Sequence, residues 1–184
     1  RAKAAELTAD KPPADAARAL YEFVLRDVRD NNVSIWARDP LPKPPADTLA
    51  EMRGNIVDRT ALLAALARAA GLDTTPCFVS PAFWFEPLDQ APLLQSASVL
   101  LLRFDLPAGA QWTNLDDDNR LFGRLSFGTS ASFYVELPTG RTGHTPDVVP
   151  AEHAVELTYD VYLEPGGAAK ILEERRFTGN PAQS

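Results

Sequence analysis

The stretch that decides the fold is residues 52–72, which reads M-R-G-N-I-V-D-R-T-A-L-L-A-A-L-A-R-A-A-G-L. Its leucines and alanines recur at helical spacing, which predicts a helix with an inner side made almost entirely of these two residues. Asn55 suits the N-cap, because its side-chain oxygen can accept a hydrogen bond from an unpaired backbone N–H. Asp58 falls in the first turn, where the helix dipole favours an anion. Gly71 suits the C-terminal end. We expect this helix to be central and buried.

The N-terminus of this helix is also a place where proteins put a reactive thiol. Helix N-termini carry a partial positive charge, and that charge stabilises a thiolate. The residue after the predicted N-cap is Ile56, which has no nucleophilic atom. The absence of a nucleophile here is the main functional question that the sequence raises.

The length and composition of the chain exclude several classes of protein and partner. A chain of 184 residues can form one domain with a real core, or a domain with a small appendage. The formal net charge of −7 argues against nucleic acid or anionic lipid as a partner. A single cysteine, Cys77, excludes an internal disulfide and a multi-cysteine zinc site. No stretch approaches the roughly 18–20 apolar residues that a transmembrane helix needs. The sequence indicates no cofactor.

Helices are predicted before the central stretch and strands after it. Residues 14–31 carry apolar positions at helical spacing, and residues 46–53 form a short helical turn. Residues 73–80, 97–104 and 130–137 are predicted strands. Pro76 favours an edge position or a strand start for the first of them, and Trp112 is expected to begin a further strand.

The last part of the chain alternates apolar and polar residues. Residues 153–163 and 169–178 flank Gly166-Gly167, which predicts a β-hairpin with one solvated face. We therefore expect an α+β protein in three parts. Residues 1–13 would be a linker or tail, residues 14–138 a core of helices packed on an antiparallel sheet, and residues 139–184 a linker plus a hairpin belonging to a C-terminal β domain.

Several segments together resemble a known family. They are A-A-R-A-L-Y-E-F-V-L-R-D-V-R at 16–29, T-L-A-E-M-R-G-N-I-V-D-R at 48–59, S-V-L-L-L-R-F at 98–104 and W-T-N at 112–114. In this order they resemble the transglutaminase-like core of the papain-like cysteine protease superfamily, of the bacterial type flanked by β domains. The resemblance covers roughly residues 14–137 and implies an α+β fold. It also favours a periplasmic or otherwise extracytoplasmic location.

The resemblance implies that the catalytic triad of the family is absent. Active members use a cysteine nucleophile at the helix start, a histidine base and an aspartate that orients the histidine. The matching positions in this chain are Ile56, Ser98 (or Ala97, if an insertion is one residue longer) and Asn114. Gly54 and Asp58 match the family pattern around the helix start. The combination suggests a retained scaffold and a lost reaction.

Other candidate residues fall into two groups. Residues expected to line the former cleft are Trp36, Asn55, Asp58, Phe83, Trp84, Phe85 and Trp112. Of the remaining reactive side chains, Cys77 is expected to be buried and inert, and His144 and His153 to be solvated. Asp116, Asp117 and Asp118 could bind a cation, although a solvated turn is favoured because they lack the spacing of a calcium loop.

Three functions follow from these observations. The first is a catalytically inactive domain, not an enzyme, that binds a peptide or protein or acts as an assembly module of a larger bacterial protein. The second is a hydrolase with non-thiol, metal-assisted chemistry at Asp116–Asp118. The third is a structural spacer between β domains. An open groove beside Ile56 would distinguish the first function from the third.

Overall fold

The structure is a computed structural model, and it describes residues 1–33, 41–81, 99–115, 121–147 and 154–178. The predicted α+β class is confirmed. The helices in these ranges are α1 (Ala2–Thr8), α2 (Pro13–Asp27), α3 (Pro45–Glu51) and α4 (Ile56–Ala69). The strands are β1 (Arg29–Asp30), β2 (Arg53–Gly54), β3 (Thr74–Ser80), β4 (Val99–Leu106), β5 (Gly109–Thr113), β6 (Phe133–Glu136), β7 (Thr142–His144), β8 (Ala154–Leu163) and β9 (Ala169–Thr178). None of the described helices is long and apolar enough to cross a membrane.

The central helix α4 begins and ends where the sequence predicts. The Asn55 side chain accepts a hydrogen bond from the Asp58 backbone N–H at 2.9 Å, and the Asp58 carboxylate accepts one from the Asn55 N–H at 3.2 Å. This reciprocal pair is a capping box. At the other end Gly71 has φ +76°, a left-handed conformation that glycine adopts without strain.

Helices α2 and α4 pack on one face of the main sheet to form the larger core cluster. This cluster includes Leu20 and Val24 of α2, Leu63 of α4 and Phe104 of β4, all 0% exposed. Burying each such side chain contributes about 1.5–3 kcal/mol relative to leaving it in water. The packing of two helices on the same sheet face is therefore what holds α4 in place.

The first residues of the chain form part of this core. Residues 1–13 are expected to be a tail, but residues 2–8 form α1, whose Ala4 is 0% exposed within the larger core cluster. The small Ala4 side chain lets α1 lie close to its neighbours. Helix α2 also ends earlier than predicted, at Asp27, because Arg29 and Asp30 pair in parallel with β2.

The main sheet is antiparallel, with the strand order β5-β4-β3-β6-β7. Strand β3 lies at its centre, so an edge position for Pro76 is wrong. The alternative, a place near the strand start, agrees with the structure, because Pro76 is the third residue of β3. The Pro76 carbonyl accepts a hydrogen bond from the Leu137 N–H at 3.0 Å. The N–H and C=O of one strand residue point to the same side, so the side of Pro76 that lacks an N–H faces β6. Pro76 lies at the end of the β3–β6 pairing, where a missing hydrogen-bond donor disturbs few contacts. The pairing with β4 is unaffected.

The strands after β3 differ from the prediction in their bounds. Trp112 lies near the end of β5 rather than at its start, because Leu106 pairs with Gly109 across a tight turn and β5 begins at once. The sheet also continues past residue 138, where the β appendage is expected to begin. Strand β7, which contains His144, pairs with β6.

The predicted hairpin is confirmed as β8 and β9, which pair from Ala154↔Thr178 to Leu163↔Ala169. Every residue of both strands is exposed. One solvated face is expected, but both faces of the hairpin are open to solvent, because its apolar side is not packed on the core.

Candidate functional site

The candidate site is the N-terminus of α4, where Ile56 is the first helical residue. Its side chain is partly buried and packs against the larger core cluster. The polar residues beside it, Asn55 and Asp58, are 4% and 3% exposed. Both side chains are engaged in the capping box, so they stabilise the helix start from within the protein.

Asp58 also ties the helix to the segment before α3. The carboxylate oxygen not used by Asn55 accepts a hydrogen bond from the Lys43 N–H at 2.8 Å. Gly54 lies against this carboxylate, since a Cβ at residue 54 would come within 2.6 Å of the Asp58 Cβ. A glycine is required at residue 54 because only it permits such a close approach.

Arg59 joins three segments around the site and is not among the site residues predicted from the sequence. It is 1% exposed. Its guanidinium donates to the carbonyls of Val24 and Leu25 at 3.4 and 2.9 Å, and to that of Leu115 at 2.9 Å. It also forms an ion pair with Asp30 at 3.2 Å. A cation at the C-terminal end of α2 is favoured by the helix dipole.

A signal for Arg59 is present in the sequence. Positions 59, 62, 63 and 66 follow the i, i+3, i+4, i+7 spacing of one helical face. Leu62, Leu63 and Leu66 are buried on that face. An arginine in register with three buried leucines predicts a buried guanidinium, which must be paired.

The end of β5 lies on the same side of the sheet as α2. The Asn114 backbone carbonyl accepts a hydrogen bond from the Tyr21 hydroxyl at 2.8 Å, and the Thr113 hydroxyl donates to the Leu102 carbonyl at 2.9 Å. Asn114 is 6% exposed. The structure therefore places Asn114 beside the larger core cluster, against which Ile56 also packs.

Trp112 lies on the other face of the sheet. It pairs with Arg103, whereas the neighbouring Leu102 and Phe104 face the helices. The Trp112 ring is 5.0 Å from the Tyr134 ring, and the Arg103 guanidinium lies 5.7 Å from it in a cation–π contact. The structure does not bring Trp112 together with Ile56.

Cys77 belongs to the same face as Trp112. It is 0% exposed in the smaller core cluster, which also contains Val79, Leu101 and Leu125. Burial raises the pKa of the Cys77 thiol to about 12, because a thiolate loses its hydration there. The predicted burial is confirmed, and the thiol is separated from the N-terminus of α4 by the sheet.

Charged groups on this face pair with one another. Arg103 forms ion pairs with Glu136 at 2.9 Å and with Asp105 at 2.8 Å. Hydrogen bonds from Thr139 and Arg103 lower the pKa of Glu136. Since these contacts link β4 with β6 across β3, we interpret them as cross-strand stabilisation.

The other candidates are placed as follows. The His144 ring lies 5.8 Å from the Phe133 ring, in an edge-on contact. Within the described ranges, no group of three or more His, Cys, Asp or Glu side chains is placed to hold a metal ion. Candidates that lie outside the described residues are Trp36, Phe83, Trp84, Phe85, Ser98, Asp116, Asp117, Asp118 and His153.

Comparison with known proteins agrees with this architecture. Residues 1–79, which end within β3, match the family model of the transglutaminase-like superfamily. This part of the chain is therefore similar to the transglutaminase-like superfamily. The match includes the capping box and Arg59, and so contains the whole of α4.

A solved structure has a similar fold. A candidate protease from Parabacteroides distasonis ATCC 8503 superposes with a TM-score of 0.60 at 14% identity, over 80% of this chain. The chain spans 27% of the length of that protein. No curated protein matches the sequence.

Proposed function

We propose that this transglutaminase-like domain is catalytically inactive and binds a peptide or protein segment beside the N-terminus of α4, as a binding or assembly module of a larger protein. The observation that carries the proposal is Ile56. It occupies the first position of the central helix, and its side chain packs against the core. A side chain without a nucleophilic atom cannot start acyl transfer at this position.

The chain's own thiol does not replace the missing nucleophile. Cys77 is the single cysteine of the chain, and it lies on the far face of the sheet. Its raised pKa keeps the thiol protonated at neutral pH, whereas the thiolate is the reactive form. This supports the proposal that the domain retains the fold and lacks the thiol-dependent reaction.

The polar side chains at the site are already paired within the protein, so a ligand would be recognised mainly through apolar contacts. Asn55, Asp58 and Arg59 are buried and already hold hydrogen bonds within the protein. A ligand would therefore gain affinity mainly by covering apolar surface around Ile56. The aromatic side chains predicted to line the cleft, Trp36 and residues 83–85, would add to that surface.

The first experiment asks whether the domain has thiol-type activity. We expect neither hydrolysis nor cross-linking of peptide amides above the buffer rate, with or without an alkylating agent. The variant Ile56→Cys restores a thiol at the helix start, and we expect it to stay inactive because Ser98, at the position of the histidine, has no imidazole. Amide hydrolysis by the unmodified chain would overturn the assignment as an inactive domain.

The second experiment tests binding by NMR titration of the isotopically labelled chain with a pool of short, unstructured peptides. We expect chemical-shift changes centred on the amides of residues 55–57 and 113–115. The variant Ile56→Lys should weaken binding at least about tenfold, since it places a charge in an apolar contact. Val57→Lys is the matched control, because Val57 is also partly buried in the first turn but is not among the residues packed against the core.

Two results would contradict the binding role. One is the absence of any shift with the peptide pool at millimolar concentration. The other is an equal loss of binding in both lysine variants, which would show that the contact is not centred on Ile56. Either result would favour a structural spacer.

A further inference from the structure

The β8–β9 hairpin carries an apolar face that the proposed function does not use. Paired residues of an antiparallel ladder point to the same side, so five cross-strand pairs make up one face. We call them the hairpin stripe: Val155/Phe177, Leu157/Arg175, Tyr159/Glu173, Val161/Ile171 and Leu163/Ala169. The opposite face carries Ala154/Thr178, Glu156/Arg176, Thr158/Glu174, Asp160/Leu172 and Tyr162/Lys170.

The apolar residues of the hairpin stripe are uncovered. Leu163 is 79% exposed, Ile171 60% and Val161 56%. Within the described ranges, all hydrogen bonds and ion pairs of the two strands stay inside the hairpin. An isolated two-stranded hairpin is at best marginally stable in water, and a hydrophobic face needs another layer against it.

We propose that the hairpin stripe is a self-association surface, on which the same stripe of a second copy of this chain packs. The seven large apolar side chains of the stripe, which are all of its apolar residues except Ala169, would each contribute roughly 60–120 Å² of apolar area on burial. Together they supply roughly 400–800 Å² per copy, and the upper end of this range matches the roughly 800 Å² per partner of a standard interface.

The charges of the stripe are compatible with a copy of itself. Its only charged side chains, Glu173 and Arg175, form an ion pair with each other. A twofold axis along the strands would place β8 of each copy over β9 of the other. Glu173 would then face Tyr159 of the second copy and Arg175 would face Leu157, so no like charges would meet.

The alternative of pairing edge to edge is less favourable. Adding a strand to the outer edge of β8 or β9 would satisfy backbone groups, but it would leave the apolar side chains of the stripe in water. Face-to-face packing removes the larger apolar area and also matches the alternating pattern of both strands. The inference is independent of the proposed peptide-binding function, because the stripe is separate from α4.

The test is sedimentation velocity of the purified 184-residue chain over a range of about 1–100 µM, which brackets interfaces of this size. We expect a concentration-dependent dimer. Val161→Lys places a charge in the stripe and should weaken the dimer at least about tenfold. Thr158→Lys is the matched control, since it exchanges another β-branched residue of β8 for the same charge on the opposite face, and it should leave the dimer intact.

Two further measurements keep the inference falsifiable. Circular dichroism should show the same secondary structure in both variants. Leu163→Lys offers a second break of the stripe at a residue that is 79% exposed and so is not needed for folding. A chain that stays monomeric across the concentration range would overturn the proposal. So would a dimer that is insensitive to both stripe variants, or one that the Thr158 control weakens equally.

Discussion

Helix α4 and the β8–β9 hairpin have similar apolar patterns and opposite environments. Each places apolar residues on one side at the period of its own secondary structure. The leucines on the inner face of α4 are at most 4% exposed, whereas every residue of the hairpin strands is exposed. A periodic pattern therefore specifies an element and its apolar side. Whether that side is covered depends on what else is present to pack on it.

The largest expected effect comes from the buried cation of α4. Arg59→Met should destabilise the domain by about 3–5 kcal/mol, because Asp30 loses its buried partner and the carbonyls of α2 and Leu115 lose donors. Arg176→Met, in the hairpin, should change stability by at most about 1 kcal/mol, since its ion pairs are exposed. Urea unfolding followed by circular dichroism measures both. Equal losses of unfolding free energy in the two variants would show that the buried contacts of Arg59 do not stabilise the fold.

A pair of leucines tests the contrast between burial and exposure directly. Leu63 of α4 is 0% exposed and Leu163 of the hairpin is 79% exposed. Leu63→Ala should cost about 2–5 kcal/mol through lost burial and the cavity left behind. Leu163→Ala should alter the unfolding free energy by no more than about 0.5 kcal/mol when measured below the concentration of any dimer. A large loss in the second variant would indicate that the hairpin is covered in solution.

The cap of α4 should have an intermediate effect. Asn55→Ala removes the acceptor for the Asp58 N–H and should destabilise the domain by about 1 kcal/mol. Asn55→Asp keeps an oxygen acceptor and should recover most of that loss. Thermal unfolding of the three proteins at one pH provides the comparison. If the alanine and aspartate variants unfold together, the capping bond does not contribute.

The smallest effect concerns the pH dependence of stability. Hydrogen bonds from Thr139 and Arg103 lower the pKa of Glu136 below its ordinary value of 4.5. A carboxylate with a lowered pKa in the folded state stabilises that state above the ordinary value, and the contribution is lost as the pH falls through the folded-state pKa. Glu136→Gln should therefore flatten the loss of stability below pH 4.5. Urea unfolding of the two proteins at a series of acidic pH values measures this slope, and equal slopes would contradict the prediction.

Local signals predicted some features of the site well. The capping box at Asn55 and Asp58, the glycine at residue 71 and the burial of Cys77 were readable, because each depends on residues close in sequence or on a strong tendency to be buried. The central place of β3 in the sheet was not readable, since a proline can lie in a central strand when its missing N–H falls at the end of a ladder. Similarly, α1 joined the core through one small alanine, a signal too weak to distinguish a helix from a tail.

Several features of this protein could be read from the chain alone: the α+β class, the bounds of α4, the hairpin and the residue at the helix start, Ile56. They depend on short-range periodicity and on side-chain chemistry that no neighbour can change. The fold added that Trp112 and Cys77 lie across the sheet from Ile56, and that Arg59 joins α2, β1 and the end of β5. Strand register and long-range packing select partners distant in the chain, and local preferences do not encode that selection.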